Sequence, residues 1–218
     1  MSGGGIYRKT WLHSAPPVHL ETDGIFAHGH VTTADKSGDG DAGHAIVHRT
    51  HPSLGATAAS AEVIASAEVV NTASSAAKAT VQFALFDATG TQVGTTVASP
   101  VSLTAAPNVS SPTTAITSPV KIPVASPELW SVARPYLYTL KVSMDSGDAQ
   151  NVSIGIYETK WTGDMGFFLN EEHVKIRGFC NHESFGGVGM AIPDRVNLFR
   201  AQGLRSVGGN GDRRSLEF

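Results

Sequence analysis

From Pro17 to about Glu158 the chain alternates apolar and polar residues with a period of two, and helical spacing is almost absent. Such alternation places every second side chain on one face of a strand and predicts half-buried β-structure. Eight segments carry it: Ile25–Thr33, Ala45–Thr50, Ala61–Asn71, Thr80–Asp87, Gln92–Ala98, Thr113–Ile122, Leu137–Met144 and Val152–Glu158. In Thr80–Asp87, Val81, Phe83, Leu85 and Asp87 share one face and Gln82, Ala84 and Phe86 the other. Asp87-Ala-Thr-Gly90 supplies a turn, because glycine takes positive φ without steric cost. Many short strands with regular turn signals predict a β-sandwich.

After Trp161 the pattern changes. Phe167–Leu169 and Val174–His182 read as a strand pair across Asn170-Glu-Glu-His173, and Pro193–Val207 reads as a helix. Pro193 suits the first helical position, Asp194 complements the dipole at that end, and Gly208 suits the C-cap. Val196, Phe199, Gly203 and Val207 recur at helical spacing and are expected to form a buried stripe. Alternation within Val174–His182 puts Val174, Ile176, Gly178, Cys180 and His182 on one face and Lys175, Arg177, Phe179 and Asn181 on the other. Strand, loop, helix and a second strand make the start of a βα repeat.

Composition narrows the function classes. A hydrophobic content of 41% in 218 residues is enough for a core. The formal charge is −3 and no Lys/Arg cluster is present, so the chain has no electrostatic footprint for nucleic acid or an anionic membrane. No apolar run approaches the roughly 20 residues that span a bilayer. The opening Met1-Ser-Gly-Gly-Gly5 leads into Ile6-Tyr-Arg8 with no signal-peptide pattern, and the compartment stays open. Cys180 is a lone cysteine, which excludes an internal disulfide framework and reads as a small core residue. Asn108-Val-Ser110 and Asn151-Val-Ser153 are glycosylation triplets of the kind that also arise by chance.

Two features invite a metal reading. Ala34–Gly43 places aspartates at alternate positions but lacks the distal bidentate acid and flanking helices of an EF-hand, so a solvated surface loop is expected. His28 and His30 share a strand face, with His44, His48 and His51 nearby in sequence. A zinc site needs a third ligand and supporting hydrogen bonds, and no metal or cofactor is expected. Trp130, Trp161 and the Tyr136/Tyr138 pair could stack on sugar rings. Their context, Pro127-Glu-Leu-Trp-Ser131, fits sandwich core or a domain seam better.

Four stretches occur in the order found in one enzyme family. They are Gly5-Ile-Tyr-Arg8 with Trp11-Leu12, Pro127-Glu-Leu-Trp-Ser131 with Pro135-Tyr-Leu-Tyr138, Gly166–Glu183, and Gly208-Gly-Asn-Gly-Asp-Arg213 with Ser215. Together they resemble glycoside hydrolase family 2, the β-galactosidases, β-mannosidases and β-glucuronidases. The resemblance implies a mainly β chain: residues 1–15 as the last strand of a sugar-binding jelly roll, 16–159 as the immunoglobulin-like sandwich, and 160–218 as the first βα unit of an incomplete (β/α)8 barrel. It also implies a β-linked glycoside as substrate of the complete enzyme, and an oligomer is possible through exposed barrel surface.

Retaining glycoside hydrolysis uses two carboxyl groups roughly 5–5.5 Å apart. By resemblance both are glutamates on later barrel strands, outside residues 1–218, so the chain alone is expected to be inactive. What the resemblance leaves here is a supporting shell. His182, at the C-terminal end of the first barrel strand, would bond a sugar hydroxyl or orient an acid. Arg213 would hold the nucleophilic carboxylate ionised. Asn181 and Glu183 are further candidates. The tail departs from the family, which continues from its serine into His-Asn-Pro, whereas Ser215 precedes Leu216-Glu-Phe218. Asp212 and Arg214 also fall on a face expected to pack on helices, where unpaired charge is costly. A truncated or frameshifted end would explain both. A different reading keeps the sandwich as a non-catalytic spacer or binding module.

Overall fold

The computed structural model describes residues 9–32, 60–182 and 184–215, with side chains excepted at 213–215. Eight strands build the first unit: β1 (Val18–Thr32), β2 (Ser60–Asn71), β3 (Ala77–Phe86), β4 (Gln92–Leu103), β5 (Thr113–Ile116), β6 (Val120–Ala125), β7 (Tyr138–Met144) and β8 (Ala149–Ile154). They form two four-stranded sheets. In one, β2 lies between β1 and the successive strands β5 and β6; the other has the order β4-β3-β7-β8. The pairings within both are antiparallel.

The alternation in the sequence becomes the core directly. Val63, Ala67 and Val69 of β2 and Val81, Phe83 and Leu85 of β3 are fully buried. Ile122 of β6 and Leu140 and Val142 of β7 join them from the neighbouring strands. The sandwich expected for this region is therefore present, and β2, β3 and β7 lie within three residues of their expected bounds. Other bounds are corrected: the first strand begins at Val18 rather than Ile25, and the strand from Gln92 runs on to Leu103 rather than ending at Ala98. Thr113–Ile122 is two strands, because Thr117 turns its hydroxyl back to accept the Ala67 N–H at 3.0 Å and Pro119 has no N–H for a ladder. The last sandwich strand spans Ala149–Ile154 rather than Val152–Glu158, its ladder ending where β7 begins at Tyr138. The expected strand Ala45–Thr50, the Ala34–Gly43 loop and His44, His48 and His51 lie outside the described residues.

Among the described residues, every buried side-chain polar atom has a hydrogen-bond partner. Asn71 is fully buried, gives Nδ2 hydrogens to the Ser75 and Thr104 carbonyls at 2.9 Å and accepts the Ala73 N–H through Oδ1. At the Asp87–Gly90 turn, Oδ1 of Asp87 accepts from the Thr89 hydroxyl and from the Thr89 and Thr91 N–H groups. The Thr89 hydroxyl is the main reason that the Asp87 carboxyl lies below its usual range. Gly90 takes φ +84°, as the turn requires.

A second polar hub sits where the sandwich chain leaves β8. Asn170 is buried at φ +50°. It gives Nδ2 to the Trp130 carbonyl at 3.0 Å, accepts the Glu158 N–H at 2.9 Å, and donates its own N–H to the Glu158 carbonyl at 2.8 Å. Trp130 in turn donates its N–H to the Ile156 carbonyl at 2.8 Å. Its ring lies so close to Gly155 that a Cβ there would meet three of its carbons at 3.0 Å. Residues 168–172 belong with the sandwich unit for this reason.

Short strands follow: β9 (Thr159–Thr162), β10 (Gly166–Leu169) and β11 (Glu172–His173), in the sheet order β11-β10-β9. The expected pairing of Phe167–Leu169 with Val174–His182 is corrected: β10 pairs instead with Glu172–His173, inside the expected turn. Val174–Arg177 is not strand, and β12 (Gly178–His182) pairs instead with β13 (Gly211–Ser215). Between them runs α1 (Asp194–Ser206). Pro193 is extended and caps the helix from outside rather than opening it, and Gly208, at φ +82°, lies one residue beyond the C-cap Val207. The second unit comprises residues 1–14, 161–167 and 173–218; within it residues 9–14 form no regular element. Ile6-Tyr-Arg8 lies outside the described residues.

Tyr138 links local geometry to pH. Its ring is 3% exposed, its hydroxyl accepts the Glu128 N–H at 2.8 Å, and burial pushes the phenol above its ordinary value of 10.0. The unfolded chain therefore ionises first. Stability from the neutral buried phenol is complete below pH about 10 and is lost as pH rises through the folded-state value. We predict that urea denaturation followed from pH 8 to 11 shows an alkaline loss that Tyr138→Phe reduces. At neutral pH the same substitution should cost about 1 kcal/mol for the lost hydrogen bond. An unchanged alkaline slope in the variant would refute this assignment.

Candidate functional site

The sequence points to the end of β12, and the structure shows what holds that strand. β12 and β13 run parallel in the register Gly178↔Gly211, Phe179↔Asp212, Cys180↔Arg213, Asn181↔Arg214 and His182↔Ser215. Parallel neighbours need a crossover, and α1 lies in it. Glycines permit the approach: a Cβ on Gly178 would fall 2.1 Å from the Gly211 carbonyl oxygen. Asn210 fixes the start of both strands. Its Oδ1 accepts the Arg177 N–H at 2.7 Å and its Nδ2 donates to the Lys175 carbonyl at 3.1 Å.

At the other end, Arg200 of α1 donates from Nη1 to the His182 carbonyl at 3.1 Å and from Nη2 to the Ser184 carbonyl at 2.7 Å. Its guanidinium also stands 5.3 Å from the centre of the Phe185 ring. This fork fixes the backbone that carries His182. Nothing in the sequence singles out Arg200, since Arg195 and Arg205 lie on the same helix.

The candidate residues divide. His182 ends β12 and its side chain is exposed. Asn181 faces the helix side with Phe179 and donates Nδ2 to Asp212 Oδ1 at 2.6 Å. The structure therefore does not bring Asn181 and His182 to one face. Asp212 is hydrogen-bonded where the sequence suggested unpaired charge. The main chain of Arg213 pairs opposite Cys180, but its side chain lies outside the described residues, as does Glu183 altogether.

Three expectations for this unit are corrected. Cys180 is exposed, because the two-stranded sheet gives that face no cover among the described residues. The helical stripe is not buried: Phe199 and Val207 remain 64% and 72% exposed, although they and Gly203 line a shallow groove facing Phe179. Two strands are too narrow to cover a helix face. Of the two places expected for Trp161, sandwich core or domain seam, the first is excluded: it is 68% exposed and its ring lies tilted against Phe167 with ring centres 4.7 Å apart. Tyr138, by contrast, is core as expected, and Trp130 is half-buried. Asp194 pairs with Lys9. Among the described residues, no group of three His, Cys, Asp or Glu side chains is placed to hold a metal, and no helix is long and apolar enough to cross a membrane.

An antiparallel sandwich followed by a parallel strand–helix–strand unit defines a composite β and α/β polypeptide rather than a lone sandwich. The family model for glycosyl hydrolases family 2 matches residues 46–156, half of the chain. The chain belongs to that family. A β-galactosidase of Bacteroides ovatus, BoGH2A, is 28% identical over 216 residues, which are 97% of this chain and 22% of that protein. A β-galactosidase of Thermoanaerobacterium thermosulfurigenes is 37% identical over 82 residues, covering 36% of this chain and 11% of its own. Among solved structures, a family 2 member from Bacteroides cellulosilyticus superposes with TM-score 0.69 at 26% identity, over 92% of this chain and 24% of its own. A family 2 β-glucuronidase shares the fold with TM-score 0.74 at 20% identity, over 97% and 20%. The chain thus spans about a fifth of the length of its long-matching relatives.

We predict that Arg200→Met speeds hydrogen exchange at the amides of β12 and at Phe185, by about tenfold for the loss of about 1.5 kcal/mol of charged hydrogen bonding. The amides of β2 and β3 should be unaffected. Unchanged exchange in β12 would show that Arg200 does not hold this strand.

Proposed function

We propose that this chain forms part of a retaining β-glycosidase of the galactosidase or glucuronidase kind, with β12–α1–β13 as the first βα unit of its catalytic (β/α)8 barrel. The observation that carries the reading is the parallel pairing of Gly178–His182 with Gly211–Ser215 around a helix, directly after a family 2 sandwich. In such barrels chemistry gathers at the C-terminal ends of the strands, and His182 occupies that end of β12. There it would donate to or accept from a sugar hydroxyl, or orient a neighbouring acid.

Arg213, one strand over, would hold the nucleophilic carboxylate ionised. The two acids required at roughly 5–5.5 Å would come from later strands of a longer polypeptide. Both described acids of the β12–β13 unit are otherwise engaged, Asp194 with Lys9 and Asp212 with Asn181. Residues 1–15 would supply the last strand of a preceding jelly roll. Exposed Phe179, Phe199 and Val207 would meet the remaining βα units or another subunit.

We predict that the purified 218-residue chain does not hydrolyse chromogenic β-galactosides, β-mannosides or β-glucuronides, whereas the natural polypeptide continued through a full barrel does so with retention of anomeric configuration. Turnover that co-purifies with the 218-residue chain and is abolished by a substitution in it would overturn the reading.

A further inference from the structure

We propose that the sandwich carries a second, non-catalytic carbohydrate site, a cleft between β1 and the end of β8 that takes one or two neutral hexose rings. β1 and β8 are the edge strands of opposite sheets. Their seam is stitched at one end: Asp148 Oδ2 accepts the Leu20 N–H at 2.8 Å, and Gln150 Nε2 donates to the carbonyls of Leu20 and Glu21 at 3.2 and 3.3 Å. The register of β1 then shifts between Leu20 and Ile25. Beyond the shift the two edges meet closely at Gly29, where an added Cβ would lie 2.9 Å from Ile156 Cα. Beside that contact the seam opens into a cavity of about 480 Å³, within the range of small-molecule sites.

The lining has the chemistry of sugar recognition. His28, His30, Ser153, Tyr157, Glu158 and Thr159 converge on the cleft, and the strand-edge backbone of residues 27–30 and 152–155 forms its walls. Hydroxyl groups both donate and accept, so they suit imidazoles, a carboxylate, side-chain hydroxyls and edge peptide groups together. Tyr157 is 44% exposed, and its ring packs at 5.7 Å against Trp130, which gives the cleft a braced aromatic surface for the C–H face of a pyranose. The Glu158 side chain is positioned by a fixed backbone, since its N–H and carbonyl are both bonded to Asn170.

Charge favours a neutral ring over a uronate. Among the described residues, Glu158 is the one carboxylate of the lining; it stands 3.6 Å from His30 Nδ1, and no described lysine or arginine lines the cleft. An anionic sugar would meet Glu158 without a permanent cation to offset it. Nothing in this site depends on the barrel reading; it would serve a module or a complete hydrolase alike.

The test is an amide-resolved NMR titration of the 218-residue chain with methyl β-galactopyranoside, lactose, methyl β-glucuronide and a short peptide of alternating Val and Thr. Saturable shifts with the neutral sugars, with Kd on the order of 1 mM, should centre on Gly29, Ser153, Gly155 and Tyr157. Tyr157→Ala should weaken binding by about tenfold. That variant removes the ring partner of Trp130, so Glu158→Gln, at a half-exposed side chain, carries the test if Tyr157→Ala melts early; a loss of about fivefold is expected. The proposal is overturned by an absence of saturable shifts with either neutral sugar, by preference for the glucuronide or the peptide at these amides, or by unchanged affinity in Glu158→Gln.

Discussion

The buried side chain of Asn170 is the constraint on which the end of the sandwich depends. It accepts from Glu158, donates to Trp130, and its own N–H reaches the Glu158 carbonyl, so one residue joins three segments remote in sequence. Its left-handed backbone at φ +50° is a conformation that asparagine tolerates better than most residues. Removing the amide would leave two part-buried backbone groups, the Glu158 N–H and the Trp130 carbonyl, without this partner, at a cost of about 1 kcal/mol for each. The rest of this corner follows from the same fixed geometry. Residue 155 must be glycine because the Trp130 ring occupies the space, and Ile156 is carried into the core while its carbonyl is bonded to Trp130.

That corner also explains how a sandwich can offer a binding surface without losing its core. The apolar faces of β2, β3, β6 and β7 meet in the interior and leave β1 and β8 as edges. Side chains from Asp148 and Gln150 close one stretch of the seam, and the Gly29–Ile156 contact sets its width at another. The cleft is what remains. In the second unit the situation is reversed: no residue of α1 is buried, and order rests on polar fasteners, Asn210 at the start of the strands and Arg200 at their end. Family 2 membership gives both units a common context, since matched relatives extend far beyond the residues of this chain.

Much of the sandwich was legible because its signal is local and periodic. Val81, Phe83 and Leu85 were assigned to one face from alternation alone, and all three are fully buried. The Asp87–Gly90 turn was readable for the same reason, as its hydrogen bonds close within five residues. Pairings over longer separations were legible only in part. Nothing in the order Thr113–Ile122 showed that the Thr117 hydroxyl would bond to Ala67, fifty residues away, and split the strand. For β12 the strand–helix–strand order pointed to the parallel partner beyond α1, whereas the hairpin pairing also expected of Val174–His182 is absent from Gly178–His182. In the candidate site, alternation located His182 and Asn181 on opposite faces, but the importance of Arg200, Asn210, Tyr157 and Asn170 comes from contacts that no spacing encodes.

Native-state hydrogen exchange at the amides of Glu158, Asn170 and Trp130 tests the Asn170 clamp most directly. If the clamp is part of the cooperative sandwich, these three amides exchange with the slow core amides of β2, β3 and β7, and Asn170→Ala accelerates all three together while Gly178–His182 is unchanged. Exchange of the three at the rate of exposed turns in the unsubstituted chain, or no acceleration in the variant, would contradict it.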